Sequence, residues 1–420
     1  MAQTISASSR QRGMVALVVA LFFIWGFATV LVDILVPKLK AAFALSYAEV
    51  MLTQFSFFLA YLVVSVPAGF LIARIGYIKG IVVGLLLMAV GCVLFAPAAS
   101  MGVYAGFLLA LFVMAGGITI LQVAANPLIA ILGSSESSHS RLTLAQAFNS
   151  LGTTIGPFVG ATFILGATAA GDPATIAPDL LDAYRRAEAH AVQAPFLGIA
   201  CVLLVLALSF WLGRRRAADF PDRPDMPRAT FAPLRKPRLA LGALSIFLYV
   251  GAEVSIGSLL INYLMQSGML GVDAPTAGRL ISLYWGGAMV GRFVGSAILR
   301  RVPAGCVLAG CALGAALLAA VSALSFGMIA AIAILAVGLC NSIMFPTIFS
   351  LAIENLGDET PQGSGILCLA IVGGAVVPVI TGLTADKFGL SIALFVPAVC
   401  YLWIALYGVL TRSRALATAE

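Results

Sequence analysis

Charge is what this sequence has least of. Only 10% of its 420 residues are Asp, Glu, Lys or Arg, where a soluble domain carries about 25%. A water-soluble protein of this length is thereby excluded. Histidine is nearly missing too: His139 and His190 are the only two, in loops expected on opposite sides of the chain, so no metal or nucleophile constellation forms around them. Among the seven cysteines, Cys92, Cys201, Cys306, Cys311, Cys340, Cys368 and Cys400, there is no CxxC pair, and all fall in or beside apolar runs. They read as small buried hydrophobes rather than as disulfides or metal ligands. No polar stretch is long enough for a soluble domain, which argues against a sensor. A membrane enzyme lacks its chemistry here. No cofactor and no metal is expected.

What fills the space is hydrocarbon. The chain is 61% hydrophobic, with a mean hydropathy of +1.08. Apolar runs of about 20 residues, the length a bilayer demands of a helix, recur between short polar or Gly/Pro breaks. They predict an all-α membrane protein of twelve spans, near 14–38, 48–73, 80–99, 103–131, 142–166, 193–213, 239–265, 275–299, 304–325, 327–352, 363–385 and 389–411. Arg10 and Arg12 precede the first span as they would a signal peptide. That span is too long for an h-region, contains Asp33 and lacks a small-residue cleavage site, so it is expected in the mature protein.

Basic residues set the orientation, because cytoplasmic loops retain Lys and Arg. With the N-terminus inside, eighteen of the 24 Lys and Arg fall on the inner side, among them Arg74, Lys79, Arg214, Arg215, Arg216, Arg292, Arg300 and Arg301. Lys38, Lys40, Arg185, Arg186, Arg279 and Lys387 form the outer set. Both termini are therefore expected in the cytoplasm, and the net charge of +7 reflects topology, with nothing in it that suggests nucleic acid.

The longest inner stretch, "GRRRAADFPDRPDMPRATFAPLRKPR" from Gly213 to Arg238, is rich in Pro and Arg and has no apolar face. It reads as a tether, 214–238, between two six-helix halves, 1–213 and 239–420. The halves echo each other. "FFLAYLVVSVPAGFLIARIGYIKG" lies over "LYWGGAMVGRFVGSAILRRVPAG", matching Gly69 with Gly295 and Arg74 with Arg300. Gln122 stands five residues before Pro127 as Asn341 stands five before Pro346. Repeated halves are the build of a two-fold transporter with its site near the midplane, although channels repeat as well.

A few polar residues sit where the apolar pattern does not want them. Of seventeen acidic residues, only Asp33 and Glu253 fall well inside spans. An intramembrane carboxylate costs at least ~2.5–3.5 kcal/mol, so it should face a cavity or a partner. Asp33 is either a structural carboxylate, capping a backbone break or paired with Lys38 or Arg279, or a site that takes and releases a proton as its access to water changes. Glu253 is open between substrate contact and structural pairing. The amides share helix faces: Gln122 with Asn126 at i, i+4; Gln146 with Asn149 at i, i+3; Asn341 with the ring of Phe345 at i, i+4. Any one amide is equally well an interhelical clamp. Several such faces together suit a hydroxyl-rich ligand, because amides donate and accept while Trp25, Trp285, Phe148 and Phe345 offer rings to an apolar sugar face.

Four stretches, "DILVPKLK", "LQVAANP", "RLTLAQAFNSLG" and "FPTIFSLAIENLG", resemble in order and placement the fucose permease and glucose/galactose transporter family of the major facilitator superfamily. The likeness runs from about Phe22 to Lys387. Gly69-x4-Arg74-x-Gly76-x2-Lys79 is similar to the superfamily's loop signature, with Ala73 where its acid usually stands. The resemblance implies twelve helices, a hexose or deoxyhexose substrate and cation symport, usually with protons. It puts the proton-linked carboxylate on Asp33 and sugar contacts on Gln146 and Asn149. Fucose permeases carry Glu where Gln122 stands and Tyr where Phe345 stands, and many members have Asn where Val32 stands. Gln122 cannot titrate, so the resemblance favours glucose, galactose or a related aldohexose over fucose.

The expectation is thus a carrier that imports a hexose with one proton, Na+ being the other candidate ion. It would act as a monomer in a bacterial inner membrane, with the lipid bilayer as its surroundings. Its sugar contacts would be Gln122, Asn126, Gln146, Asn149, Asn341, Phe345, Glu253, Trp25 and Trp285. The rival is a proton antiporter exporting drugs or sugars, which would usually have a more apolar, less amide-rich cavity.

Overall fold

The computed structural model describes residues 2–131, 138–165, 192–214, 231–299, 301–354, 356 and 359–411. The tether residues 215–230, the loop with Arg185, Arg186 and His190, and Arg300 of the repeat match lie outside the described residues, as does the side chain of His139. Every described element is helical. The α-helices are α1 (Ala2–Phe43), α2 (Tyr47–Val50), α3 (Leu52–Ile75), α4 (Tyr77–Met101), α5 (Tyr104–Ile131), α6 (Ser138–Gly160), α7 (Gln193–Gly213), α8 (Pro237–Met265), α9 (Ala274–Ile298), α10 (Ala304–Leu324), α11 (Gly327–Asn341), α12 (Met344–Ile353), α13 (Thr360–Leu369), α14 (Gly373–Phe388), α15 (Leu390–Ala393) and α16 (Phe395–Leu410), with a π-helical turn at Ala161–Leu165 and tight 3-10 turns at Ala232–Arg235 and Ala370–Val372.

Eleven helical spans among the described residues are long and apolar enough to cross a membrane. A helix such as α4, with 25 residues, is about 37 Å long and exceeds the ~30 Å hydrocarbon layer. Large apolar side chains such as Phe70, Phe163, Phe293 and Leu317 stand exposed, which suits lipid and not water. The protein is an integral membrane protein. The segment expected as the eighth span is present as α9, but Arg279, Arg292 and its glycines lower its hydropathy below that of its neighbours. Asp273 caps α9 by accepting the Thr276 amide at 3.2 Å; the Thr276 hydroxyl holds its carboxyl below the usual carboxylate range.

Four runs that read as single helices are interrupted, the twelfth span at Leu394, between α15 and α16. The second pauses at Met51 between α2 and α3. The tenth breaks at Ser342 and Ile343, between α11 and α12. Pro346 has no N–H to return to the Ser342 carbonyl, so the ladder is cut in this turn. The eleventh passes through a tight turn, Ala370–Val372, before α14; the pair Gly373 and Gly374 and the missing amide of Pro378 weaken the ladder there.

The helices cluster into two compact units, one of Met1–Leu45 and Ser56–Met226, the other of Ser46–Phe55 and Pro227–Glu420. In the first, α1 packs on α6, α4 on α5 and α7, and α5 on α6. In the second, α8 is central, touching α9, α12, α14 and α16, while α10 packs on α11 and α16. Ser46–Phe55 joins the second unit for a polar reason. Ser46 and Glu49 form a reciprocal cap at the start of α2, with bonds of 3.2 and 2.8 Å. Asp386 of α14 accepts the next two free amides, Tyr47 N at 2.6 Å and Ala48 N at 2.8 Å. Gln54 Nε2 then donates to Ser258 Oγ at 2.8 Å inside the core. Asp386→Ala is expected to remove about 1–2 kcal/mol of capping and to speed amide exchange at Tyr47 and Ala48 roughly tenfold. Unchanged exchange would show that these amides are held by something else.

All seven cysteines are free thiols. Cys92 and Cys400 are buried, as small apolar groups should be, but Cys201 and Cys368 lie exposed on their helices; composition alone does not tell the lipid face of a helix from its packed face.

Candidate functional site

The first unit carries Trp25, Asp33, Gln122, Asn126, Gln146 and Asn149 on α1, α5 and α6, three helices in mutual contact. Asp33 is 8% exposed. Lys38, assigned by the basic-residue pattern to an outer loop, is 2% exposed and lies inside α1. The reason is that α1 does not stop at Pro37 but runs on to Phe43, and it ends with Lys40 Nζ donating to the Leu45 carbonyl at 2.9 Å. A buried cation five residues from a buried carboxylate is a feature that the orientation rule conceals.

Gln122, Asn126, Gln146 and Asn149 are all half-buried. The Oδ1 of Asn126 is buried and has no hydrogen-bond partner among the described residues, a state that costs about 1–3 kcal/mol unless a ligand or water fills it. Asn149 is part clamp: its Nδ2 donates to the Phe22 carbonyl of α1 at 3.0 Å. The clamp depends on Gly26, where an added Cβ would lie 2.2 Å from the Asn149 carbonyl oxygen. Its amide oxygen is left for other partners. Trp25 is 8% exposed and packs on Phe22, ring centres 5.4 Å apart, with Tyr61 within hydrogen-bonding reach. The ring expected to meet a sugar is thus held inside its own unit.

In the second unit, Glu253, Trp285, Asn341 and Phe345 come together around two tyrosines. The Tyr249 hydroxyl lies 2.7 Å from Glu253 Oε1 and 3.1 Å from the Asn341 carbonyl oxygen. Asn341 Nδ2 donates to the Tyr284 hydroxyl at 2.8 Å, and that hydroxyl reaches the Glu253 carbonyl at 3.5 Å. Phe345 lies beside Tyr249 and stacks on Phe349, with ring centres 6.4 and 6.2 Å away. Trp285 meets Tyr284 edge-on at 5.2 Å, and its buried Nε1 has no partner among the described residues. Asn341 itself is 1% exposed. Arg292, grouped with the inner-loop cations by the sequence, lies within α9, near enough for its charge to act on Glu253.

Tyr249 and Tyr284 escaped the reading of the sequence. Tyr249 was within reach of it, standing four residues before Glu253 on one helix face. Tyr284 gave no signal, since its partner is on another helix.

Two helical units sheathed in exposed apolar side chains, each holding buried or half-buried polar groups, have the build of a membrane carrier. Residues 16–371 match the Major Facilitator Superfamily, and the chain belongs to it, within the family that holds the transporters named next. It is 51% identical over 392 residues to the glucose/galactose transporter of Brucella abortus biovar 1 (strain 9-941), covering 93% of this chain and 92% of that protein. It is 36% identical over 401 residues to the L-fucose-proton symporter of Escherichia coli (strain K12), covering 92% and 90%. The crystal structure of the E. coli fucose:proton symporter superposes with a TM-score of 0.70 at 34% identity, covering 95% of this chain and 98% of that one.

Proposed function

We propose that this protein is a secondary active transporter that imports a hexose of the glucose or galactose kind with one proton by alternating access. The observation that carries the reading is a buried carboxylate, Asp33, on a helix packed against two helices that bear amide pairs, in a chain 51% identical to a glucose/galactose transporter. Gln122, Asn126 and Gln146, with the free oxygen of Asn149, supply the donors and acceptors a sugar needs. Phe345 and Trp285 supply rings. Asp33 takes the proton. The doubly loaded and the empty forms change access while the protonated empty form does not, which is what couples the two movements. The protein works as a monomer in the inner membrane, both termini cytoplasmic.

The test is uptake of labelled glucose, galactose, fucose, mannose and N-acetylglucosamine into proteoliposomes under a pH gradient, with and without sodium. Accumulation of one hexose on the pH gradient alone is expected. Failure of every sugar under either ion gradient, with folded protein, would overturn the proposal in favour of the exporter.

Two neighbours separate sugar contact from clamping. Gln146→Ala is expected to raise KM for the sugar about tenfold with unchanged thermal stability. Asn149→Ala should also lower stability by about 1 kcal/mol, because it loses the bond to Phe22. Equal stability loss in both would assign Gln146 to packing.

A further inference from the structure

The Tyr249 hydroxyl has two acceptors and one hydrogen. Glu253 Oε1 is 2.7 Å from it and the Asn341 carbonyl oxygen 3.1 Å, yet a phenol can donate only once. With Glu253 ionised, its charged oxygen is the stronger acceptor and takes the hydrogen. The Asn341 carbonyl is then left without it. With Glu253 protonated, the carboxyl itself can donate to the tyrosine oxygen, and Tyr249 gives its hydrogen to the carbonyl.

That carbonyl has a special position. Asn341 is the last residue of α11, and in an unbroken helix its oxygen would accept from the Phe345 amide four residues on. The break at Ser342 and Ile343 begins directly after it, where Pro346 leaves the next carbonyl, that of Ser342, without its helical amide. The Tyr249 hydroxyl holds the Asn341 carbonyl at the edge of this break. On the other side, the Tyr284 bridge from Asn341 Nδ2 to the Glu253 carbonyl holds α8, α9 and α11 in register whatever the state of the carboxyl.

We infer that Glu253 is a positioning residue: protonated, it frees the Tyr249 hydroxyl to lock the break in the tenth span, and ionised, it withdraws that hydroxyl and loosens the break. Phe345, one turn beyond the break and beside Tyr249, is the group whose placement the lock sets. Asn341 then belongs to the lock, in keeping with its burial, and Phe345 is what meets the sugar. The charged and titratable groups facing Glu253 are Tyr249 on its own helix, Arg292 and Tyr284 from α9, and Tyr401 from α16. This inference rests on the proton-coupled sugar reading for its purpose, but its test does not need a sugar.

The experiment is hydrogen exchange of the segment 342–350 in purified full-length protein between pH 5 and 8, corrected for intrinsic amide rates, in the native chain and in Glu253→Gln and Tyr249→Phe. Gln can donate to the tyrosine oxygen as the protonated acid does, so Glu253→Gln should stay protected at every pH. Tyr249→Phe should exchange about five- to tenfold faster at every pH. The native chain should pass from the first behaviour to the second as pH rises. Glu253→Gln behaving like Tyr249→Phe, or a native pH dependence that survives in either variant, would overturn the inference. In proteoliposomes the lock predicts that Tyr249→Phe raises KM severalfold with little change in maximal rate, whereas Glu253→Gln removes the pH dependence of KM. Absence of any sugar uptake by the native protein would sink the transport reading and leave the exchange result standing.

Discussion

Asp33→Asn is expected to reduce the steady-state accumulation of sugar in energised vesicles to about one, while sugar-for-sugar exchange across the same membrane continues. Asn keeps the size of the carboxyl and its capacity to hydrogen-bond, but it holds no exchangeable charge, so it resembles the protonated state permanently. A carrier fixed in that state can shuttle while loaded and has nothing to return a proton with. At about 150 mV, one charge moved inward supplies ~3.5 kcal/mol, which limits the native gradient to a few hundred-fold. The variant should lose all of it. Counterflow with labelled sugar and uphill uptake measured on one preparation decide the matter. Uphill uptake by Asp33→Asn at the native level would move the proton site elsewhere, with Glu253 the next candidate in a span.

The apolar runs made the all-α membrane fold legible, and the i, i+4 amides marked faces that the structure does place on packed helices. The breaks were harder to read. "NSIMFPTIF" is hydrophobic enough to pass as continuous helix, and a proline inside a span is tolerated wherever a neighbour serves the freed carbonyl. Here Tyr249, some ninety residues earlier in the chain, serves the adjacent Asn341 carbonyl, so no local window contains both. The same limit hid the shift of Ser46–Phe55 to the second unit, which depends on Asp386 in α14. Lys38 and Arg292 show a further limit: counting basic residues assigns each to a side of the membrane and passes over those folded into a helix. Sequence periodicity reports faces within one helix. What faces what across helices is decided by contacts it does not encode.

Gly338→Ala is expected to cost more than ten times in transport rate and to lower thermal stability, although it adds a single methyl. α9 crosses α11 so closely at this point that a Cβ on Gly338 would lie 2.0 Å from the Tyr284 carbonyl oxygen. The obstacle is backbone, so no side chain can rotate to make room. The approach continues along the same face of α9: a Cβ on Gly291 would meet Ser342 Oγ at 2.4 Å, and one on Gly295 the Ile343 side chain at 2.1 Å. Those two contacts are with the break residues themselves. Forcing α9 outward at Gly338 therefore carries Tyr284 away from Asn341, three residues on, and stretches the 2.8 Å bond between them. Overpacking of this kind costs about 1–3 kcal/mol. The lost bond and the exposed amide of Asn341 add about as much again. Gly310 in α10 provides the control, because a Cβ there meets nothing within 4 Å, and Gly310→Ala should gain slightly in helix propensity. Thermal unfolding in detergent and initial uptake rates for the two variants separate the crossing from the generic effect of Ala for Gly. If both variants behave alike, close packing of α9 on α11 is not what holds the tyrosine against the break.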